Sequence, residues 1–347
     1  MKKINIALVD PPIAGHKFRG TGTYGEELFK ALKKKEEVDI SWVNYGSDIK
    51  EFDLVHYPYF DPFFLTLPIM KHKPTVVTVH DLIPLRFPDQ FPKGIRGEIK
   101  WFIQKLSLGG AEVILTDSVA SKNDIAKFTE IDKEKIKVVY LGVRNEFKVI
   151  KEGNILDKVR RKYSLPEKFL LHVGDVNYNK NISGMIKAFA KISQKYSDLY
   201  SILVGNGFIE DSPQLSQLIN IISQLGVGDK IKRLGYIELL DLVGVYNLAQ
   251  VYLQLSFAEG FGIPVLEAMA SGCLVISSNT SSLPELVGEA SLLVNPKNEE
   301  EIAENIEIIL TNKGEMQELR EKGIKRAKEF TWEKCAEETL EVYKSIL

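Results

Sequence analysis

Twelve short apolar runs, most of them rich in β-branched residues, alternate with helical patterns along the chain, and this alternation limits the fold more than any other feature. Six fall in the first half, at Ile4–Val9, Val38–Val43, Leu54–Tyr57, Thr75–Val79, Val113–Thr116 and Lys137–Tyr140. Six more follow at Phe169–Val173, Tyr200–Val204, Lys230–Leu234, Val251–Leu255, Leu274–Ser277 and Ser291–Val294. Strands separated by helices predict parallel sheets with crossover connections, so the class is α/β with one doubly wound unit after another. A chain of 347 residues is long enough to give each unit its own core. The polar stretch 142–166 ends in Ser-Leu-Pro and predicts the boundary, with a short helix around Ile155–Tyr163. The expected segments are 1–148, a linker at 149–166, 167–330 and a terminal helix at 331–347 for which Thr331 is a suitable cap.

The stretch Ser256–Gly272, SFAEGFGIPVLEAMASG, follows the apolar run Val251–Leu255 and predicts a strand, a turn and a helix. Gly260 and Gly262 let bare backbone approach a ligand, and Pro264 supplies a φ suited to the first helical turn. The helix expected from Ile263 to Gly272 directs its first amides and the positive end of its dipole at the loop, which makes an anion site. Glu259 and Glu267 frame that site. A carboxylate beside a phosphate repels it, so each must face away or accept from neutral hydroxyls such as those of a sugar. The plainer alternative makes Glu267 a favourable early-helix charge and Glu259 an exposed loop residue.

Ligands of open parallel sheets bind beyond the carboxyl ends of the strands, which predicts a site between the two units and ranks the remaining candidates. Gly20–Gly25, GTGTYG, formally matches G-x-G-x-x-G, yet Asp10–Arg19 separate it from the first strand, where a dinucleotide fingerprint would follow directly. It reads as a glycine-rich loop, with Gly20 and Gly22, opening a helix at Tyr24–Lys34. His80 ends a predicted strand, where its backbone or ring can reach the cleft; the plainer alternative is a histidine satisfied locally by Asp81. Ser118 sits where a helix cap belongs. Gly174, Asn177 and Lys180 lie in HVGDVNYNKN after the first strand of the second half, and Lys180 is placed to set a point charge on a phosphate. Gly205 in VGNG and Tyr236 in LGYI close two further strands.

Hydrophobic residues at 44% and a formal charge of −2 describe an ordinary globular chain with no electrostatic case for nucleic acid. The two cysteines, Cys273 and Cys335, lack metal-ligand spacing and fit a reducing cytoplasm. No stretch approaches the ~20 apolar residues of a membrane span. Arg86–Leu106 mixes aromatic and basic residues; it fits a loop and a core-facing helix, with acceptor binding or contact with a membrane surface as the alternative.

Glu259 and Glu267 with the intervening Gly-Phe-Gly-Ile-Pro form an E-x7-E pattern, and the similarity continues through Ala270–Pro296. The chain resembles the retaining glycosyltransferases of family 4, which implies the GT-B fold: two Rossmann-like domains facing each other across a cleft. The resemblance implies acceptor binding by 1–148, donor binding by 167–330, and a terminal helix that returns to the N-terminal domain. It gives Glu259 and His80 to the donor sugar, Glu267 to the ribose, the amides of Gly260, Phe261, Gly262 and Ile263 with Lys180 and the glycine loops of Gly20, Gly22, Gly174 and Asn177 to the diphosphate, and Gly205 and Tyr236 to the nucleobase. One departure stands out: the family commonly carries Arg directly after the glycine, and here that position is Asp175, leaving Asn177, Arg144 or the helix dipole to compensate.

No D-x-D pair lies near a predicted strand end, so neither metal nor cofactor is expected. The implied reaction is front-face transfer with retention, the departing phosphate taking the acceptor's proton. The HDLIPLRFP and DVNYNKN variants look most like mannosyltransferase members, which implies GDP-mannose ahead of UDP-sugars and a glycan or lipid-linked acceptor. A catalytically silent nucleotide-sugar-binding partner, a UDP-sugar epimerase and, on GTGTYG alone, a dehydrogenase are the alternatives. The sequence does not fix an oligomeric state.

Overall fold

The computed structural model describes residues 3–12 and 20–347. Every predicted strand is present, with ends shifted by a residue or two: β1 (Ile4–Asp10), β2 (Val38–Asn44), β3 (Leu54–Tyr57), β4 (Thr75–Thr78), β5 (Val113–Thr116), β6 (Ile136–Val138), β7 (Lys168–Val173), β8 (Leu199–Val204), β9 (Ile231–Leu234), β10 (Val251–Gln254), β11 (Leu274–Ser278) and β12 (Leu292–Val294). The first half carries α1 (Gly20–Leu32), α2 (Ile83–Arg86), α3 (Gly94–Gly109) and α4 (Val119–Thr129). The remainder carries α5 (Gly153–Lys162), α6 (Ile182–Lys195), α7 (Pro213–Gln224), α8 (Leu239–Leu248), α9 (Ile263–Ala270), α10 (Leu283–Val287), α11 (Glu299–Thr311), α12 (Lys313–Ala327) and α13 (Trp332–Ser345).

Both sheets are parallel, and each strand of the inner positions is buried on both faces, as helix-covered parallel strands must be. The first sheet runs β2-β1-β3-β4-β5-β6 and the second β12-β11-β10-β7-β8-β9. The second order reverses direction between β7 and β10, and ligands of open parallel sheets bind beyond the carboxyl ends of the strands at such a reversal.

The chain divides into two compact units, one holding residues up to Gly142 together with Phe330–Leu347, the other Val143–Glu329. In the first, α13 docks through buried Tyr343, whose hydroxyl lies 2.6 Å from His56 Nδ1, while His56 Nε2 meets Thr78 Oγ1 at 2.7 Å. In the second, α5 packs on α8, where Gly244 makes room for Val159: a Cβ there would come 2.8 Å from Val159 Cγ2. The stretch expected as a linker is therefore part of the second unit.

Two further expectations are corrected. GTGTYG is not a loop before a helix: α1 begins at Gly20, which places Gly20 and Gly22 inside its first turn. Tyr24, buried and hydrogen-bonded to Thr78 Oγ1 at 2.9 Å, anchors the helix, and Gly25 lets it lie against β2, since a Cβ would come 2.9 Å from Trp42. Residues 13–19, between β1 and this helix, lie outside the described residues. Within Arg86–Leu106, α3 faces the core only in part: Leu108 joins the core and Trp101 packs against it, with Gly97, Gln104 and Ser107 also buried, while Ile95, Ile99, Phe102 and Leu106 are exposed. Among the described residues, no helix is long and apolar enough to cross a membrane.

Candidate active site

Two loops meet at the reversal point of the second sheet. After β7 the chain makes a single tight turn at Tyr178–Lys180 and passes through Asn181 in the left-handed region, φ 54°, before entering α6. After β10 it runs through Ser256–Gly262 into α9, with Gly262 at φ 114°. Only glycine adopts that conformation cheaply, and a Cβ there would also come 2.9 Å from Leu283. The loops are laced together: Phe257 N donates to Asn179 O at 2.7 Å, Asn179 Nδ2 to Ala258 O at 3.0 Å, and Asn181 Nδ2 to Leu255 O at 3.0 Å.

This lacing brings Lys180 onto Glu259. Lys180 Nζ donates to both carboxylate oxygens, at 2.9 and 2.8 Å. Glu259 Oε1 also accepts from Ser256 Oγ and Gln254 Nε2, each at 2.6 Å. Gln254 is itself held by the Tyr252 hydroxyl. Only 7% of Glu259 is exposed, which rules out the exposed-loop alternative. A buried carboxylate costs several kcal/mol unless paired and hydrogen-bonded, and here charge and hydrogen bonds come from one strand end and one turn.

The backbone of the same loop is clamped from the far side. Ser281 Oγ donates to Glu259 O at 2.8 Å, the single Ser282 hydroxyl proton is shared between Phe261 O at 2.8 Å and Glu259 O at 3.0 Å, and Ser278 Oγ donates to Ser256 O at 2.6 Å. Hydroxyls thus occupy loop carbonyls, while the short helix behind the loop supplies amides and a positive dipole end.

Glu267 lies on α9 and is equally buried. Tyr246 donates its hydroxyl to Oε2 at 3.1 Å, and Arg144 Nη2 stands 3.6 Å from Oε1. Burial pushes the Glu267 carboxyl above the usual carboxylate range, and the opposing pull of Arg144 and Tyr246 does not cancel it. Arg144, one of the residues considered as a substitute for the missing family arginine, is thereby engaged with Glu267; its Nε is buried with no hydrogen-bond partner.

Other predicted residues take varied places. Gly174 N donates to Val204 O at 2.9 Å, and Gly205, at φ 141°, lies so close to the Gly174 carbonyl that any Cβ would overlap it. Asp175, Asn177 and Tyr236 are exposed. His172, not among the predicted residues, is buried beneath this edge; it donates from Nδ1 to Leu253 O at 2.9 Å and stacks parallel to Tyr252. Burial holds its pKa down to about 4, so it is neutral at pH 7.

His80 belongs to the first unit and is paired there. Asp81, the local partner of the plainer alternative, accepts from Ile83 N at 2.9 Å. The actual partner is Asp117, at the end of β5, whose Oδ2 lies 2.6 Å from His80 Nδ1, while Nε2 meets Pro58 O at 3.2 Å. Burial alone would lower the His80 pKa, but the Asp117 carboxylate outweighs it and the ring is held above its ordinary value. With a carboxylate and a carbonyl as partners, both nitrogens donate, which is the imidazolium form. Ser118 caps α4 as expected, accepting from Ser121 N at 3.0 Å.

Asn179, Asn181, Gln254 and the Ser278–Ser282 hydroxyls were not read from the sequence. Asn179 and Asn181 flank Lys180 and stand on the carboxyl side of a strand, the one signal that would have drawn attention to them. Among the described residues no group of three or more His, Cys, Asp or Glu side chains is placed to hold a metal ion.

Comparison with known proteins agrees with this arrangement. The family model described as glycosyl transferases group 1 matches residues 157–330, and the model for glycosyltransferase family 4 matches 18–147. O-antigen chain mannosyltransferase B of Escherichia coli is 30% identical over 272 residues, covering 78% of this chain and 70% of the relative. The O-antigen chain mannosyltransferase RfbU of Salmonella typhimurium is 31% identical over 234 residues, 67% of this chain and 60% of that one. The serotype-specific mannosyltransferase WbdA of Escherichia coli is 27% identical, and the chain spans only 34% of its length. Among solved structures, a sucrose-phosphate synthase from Thermosynechococcus elongatus superimposes with a TM-score of 0.79 at 18% identity, covering 99% of each chain. Anabaena HepE, solved with UDP and glucose, gives 0.78 at 18% identity, covering 99% of this chain and 100% of that one. These likenesses show the GT-B fold, and with the two family matches they place the chain among the group 1 glycosyl transferases, with a family 4 N-terminal region.

Proposed function

We propose that the chain transfers a hexose, mannose first, from a nucleoside-diphosphate sugar to a glycan or lipid-linked acceptor, with retention at the anomeric carbon and without a metal. The observation that carries this reading is the Glu259 carboxylate, buried at the start of α9 and fixed by Lys180, Ser256 and Gln254. A carboxylate so held is preorganised to accept from sugar hydroxyls, and the ammonium beside it adjoins the helix start that favours a diphosphate. Glu267 takes the ribose hydroxyls, and His80 enters as a sugar contact implied by the family. In the transfer, the bond from the anomeric carbon to the phosphate oxygen breaks as the acceptor oxygen bonds on the same face. The acceptor's proton passes to the departing phosphate, so Glu259 need not act as a base.

Mannose is favoured because relatives at about 30% identity are named mannosyltransferases. The chain covers about a third of WbdA, so its acceptor and linkage are proposed for this chain alone. A thermal-shift screen of nucleotide sugars tests the donor, since a ligand of the folded state raises apparent stability by mass action. GDP-mannose is expected to stabilise most, GDP to be released slowly without acceptor, and release to survive a chelator but vanish in Glu267→Ala. Asp175, exposed where the family carries arginine, favours one second reading, a donor-binding subunit without activity. Tight binding with no turnover across an acceptor screen would establish it in place of the first.

A further inference from the structure

Helix α3 is apolar on two sides: Leu108 and Trp101 meet the core, and a second apolar stripe faces outward. Ile95, Ile99, Phe102 and Leu106 recur at helical spacing on one face, and they are 83%, 57%, 64% and 60% exposed. The opposite, buried face is built from Gly97, Gln104, Ser107 and Leu108. Polar contacts add to the packing of Leu108 and Trp101 there: Gln104 Oε1 accepts from Thr66 N at 3.0 Å and Thr66 Oγ1 at 2.9 Å, and Lys71 Nζ donates to Ser107 O at 2.8 Å. These bonds also fasten the preceding loop, which adds Phe64 and Met70, 52% and 72% exposed, beside the helix. A single exposed apolar residue needs no explanation, but a contiguous set on one face marks a surface that is covered by something.

Charge selects the occupant. Arg96 and Lys100 stand on α3 and, among the described residues, neither is in an ion pair; Lys100 Nζ lies 5.1 Å from the centre of the Phe64 ring. Lys93 and Lys105 also flank the stripe, each paired with one carboxylate, Glu98 and Glu130. Aliphatic and aromatic side chains bordered by long cationic ones suit the boundary between acyl chains and anionic headgroups, where the stems lie along apolar surface and the charges reach phosphate. We infer that α3 and the loop ahead of it dock this chain on the surface of an anionic lipid bilayer, inserting Ile95, Ile99, Phe102 and Leu106 without spanning it. The inference stands on this face alone and not on the proposed reaction.

The test is co-sedimentation of the ligand-free full chain with vesicles of phosphatidylcholine, with and without phosphatidylglycerol. Binding is expected only when the anionic lipid is present, to weaken with added salt, and to fall roughly tenfold in partition coefficient for Phe102→Ser or Ile99→Ser. Arg96→Glu with Lys100→Glu is expected to abolish it. Because all four positions are exposed, unchanged circular dichroism and melting of the variants check that folding is intact. Binding that ignores these substitutions, no binding to anionic vesicles, or a concentration-dependent dimer lost in Phe102→Ser without any vesicle binding would each overturn the inference; the last would assign the face to a second copy of the chain. None of these outcomes bears on donor binding by Glu259 and Lys180.

Discussion

Lys180 and Glu259 each complete the other. The ammonium neutralises a carboxylate that is almost fully enclosed, and the carboxylate holds the ammonium at the helix start through two contacts. Removing the ammonium leaves a buried charge with hydroxyl and amide partners only, so Lys180→Ala should lower stability by about 1–3 kcal/mol and kcat/KM by about 10²–10³-fold. Urea unfolding and donor turnover measure the two effects separately. Glu259→Gln keeps the shape, removes the charge and sets an amide donor against Lys180 Nζ, so it should lose turnover together with about 1–3 kcal/mol of stability; turnover kept at the wild-type level would assign the pair a structural role. Glu267 makes a pH prediction. Its carboxyl is raised above the ordinary value by burial, so the folded chain holds that proton more tightly than the unfolded chain. The contribution is present below the unfolded value and is lost as pH rises through the folded one. The stability of Glu267→Gln relative to wild type should therefore increase as pH is raised from about 4.5 to 7, read as the difference between their urea midpoints.

At the scale of elements, close approach of backbones at the carboxyl edge of the second sheet demands glycine. Gly205 combines φ 141° with a carbonyl where its Cβ would be. Gly205→Ala should cost about 1–3 kcal/mol or more, whereas Gly153→Ala, with nothing within 4 Å of the added carbon, should be close to neutral or stabilising; denaturant midpoints of the pair test the contrast. The elements themselves were legible because parallel strands buried on both faces must be short, apolar and β-branched, as Val113–Thr116 and Leu274–Ser278 are. The start of α9 was legible from glycine and proline. How much of a helix meets the core was not: in α3 Leu108 and Trp101 reach it beside Gln104 and Ser107, whose hydrogen bonds pair distant residues in a way that periodicity does not encode. The first turn of α1 was misread for a related reason, because Gly20 and Gly22 are poor helix formers and the contacts of Tyr24 with Thr78 that hold the helix come from 54 residues away. Proximity in sequence offered Asp81 only as an alternative partner for His80, whereas the crossover brings Asp117 to it from the neighbouring strand.

For the whole molecule, the two cores share one response to acid. Each unit buries a neutral histidine, His56 in the first and His172 in the second. Burial lowers their pKa values to about 3 and about 4, from an ordinary 6.5. Their unfolded forms take up a proton below 6.5 that the folded forms refuse, so the stability each contributes is present above that value and is lost as pH falls toward the folded pKa. Between pH 7 and 5 the loss amounts to about 2 kcal/mol for each histidine. Other groups act in the opposite sense over the same range: His80, held above its ordinary value by Asp117 after burial is overcome, gains as pH falls, and so does Glu267. A simple acid titration of the wild type therefore mixes signs within each unit. Comparison with His56→Gln and His172→Gln removes that mixture, because the remaining groups cancel in the difference. Each variant should start less stable than wild type at pH 7 and recover about 2 kcal/mol relative to it at pH 5, as judged by amide exchange of peptides from its own unit corrected for intrinsic rates. A gap that stays constant with pH would mean that the histidine is not buried neutral, and would remove the parallel between the two cores.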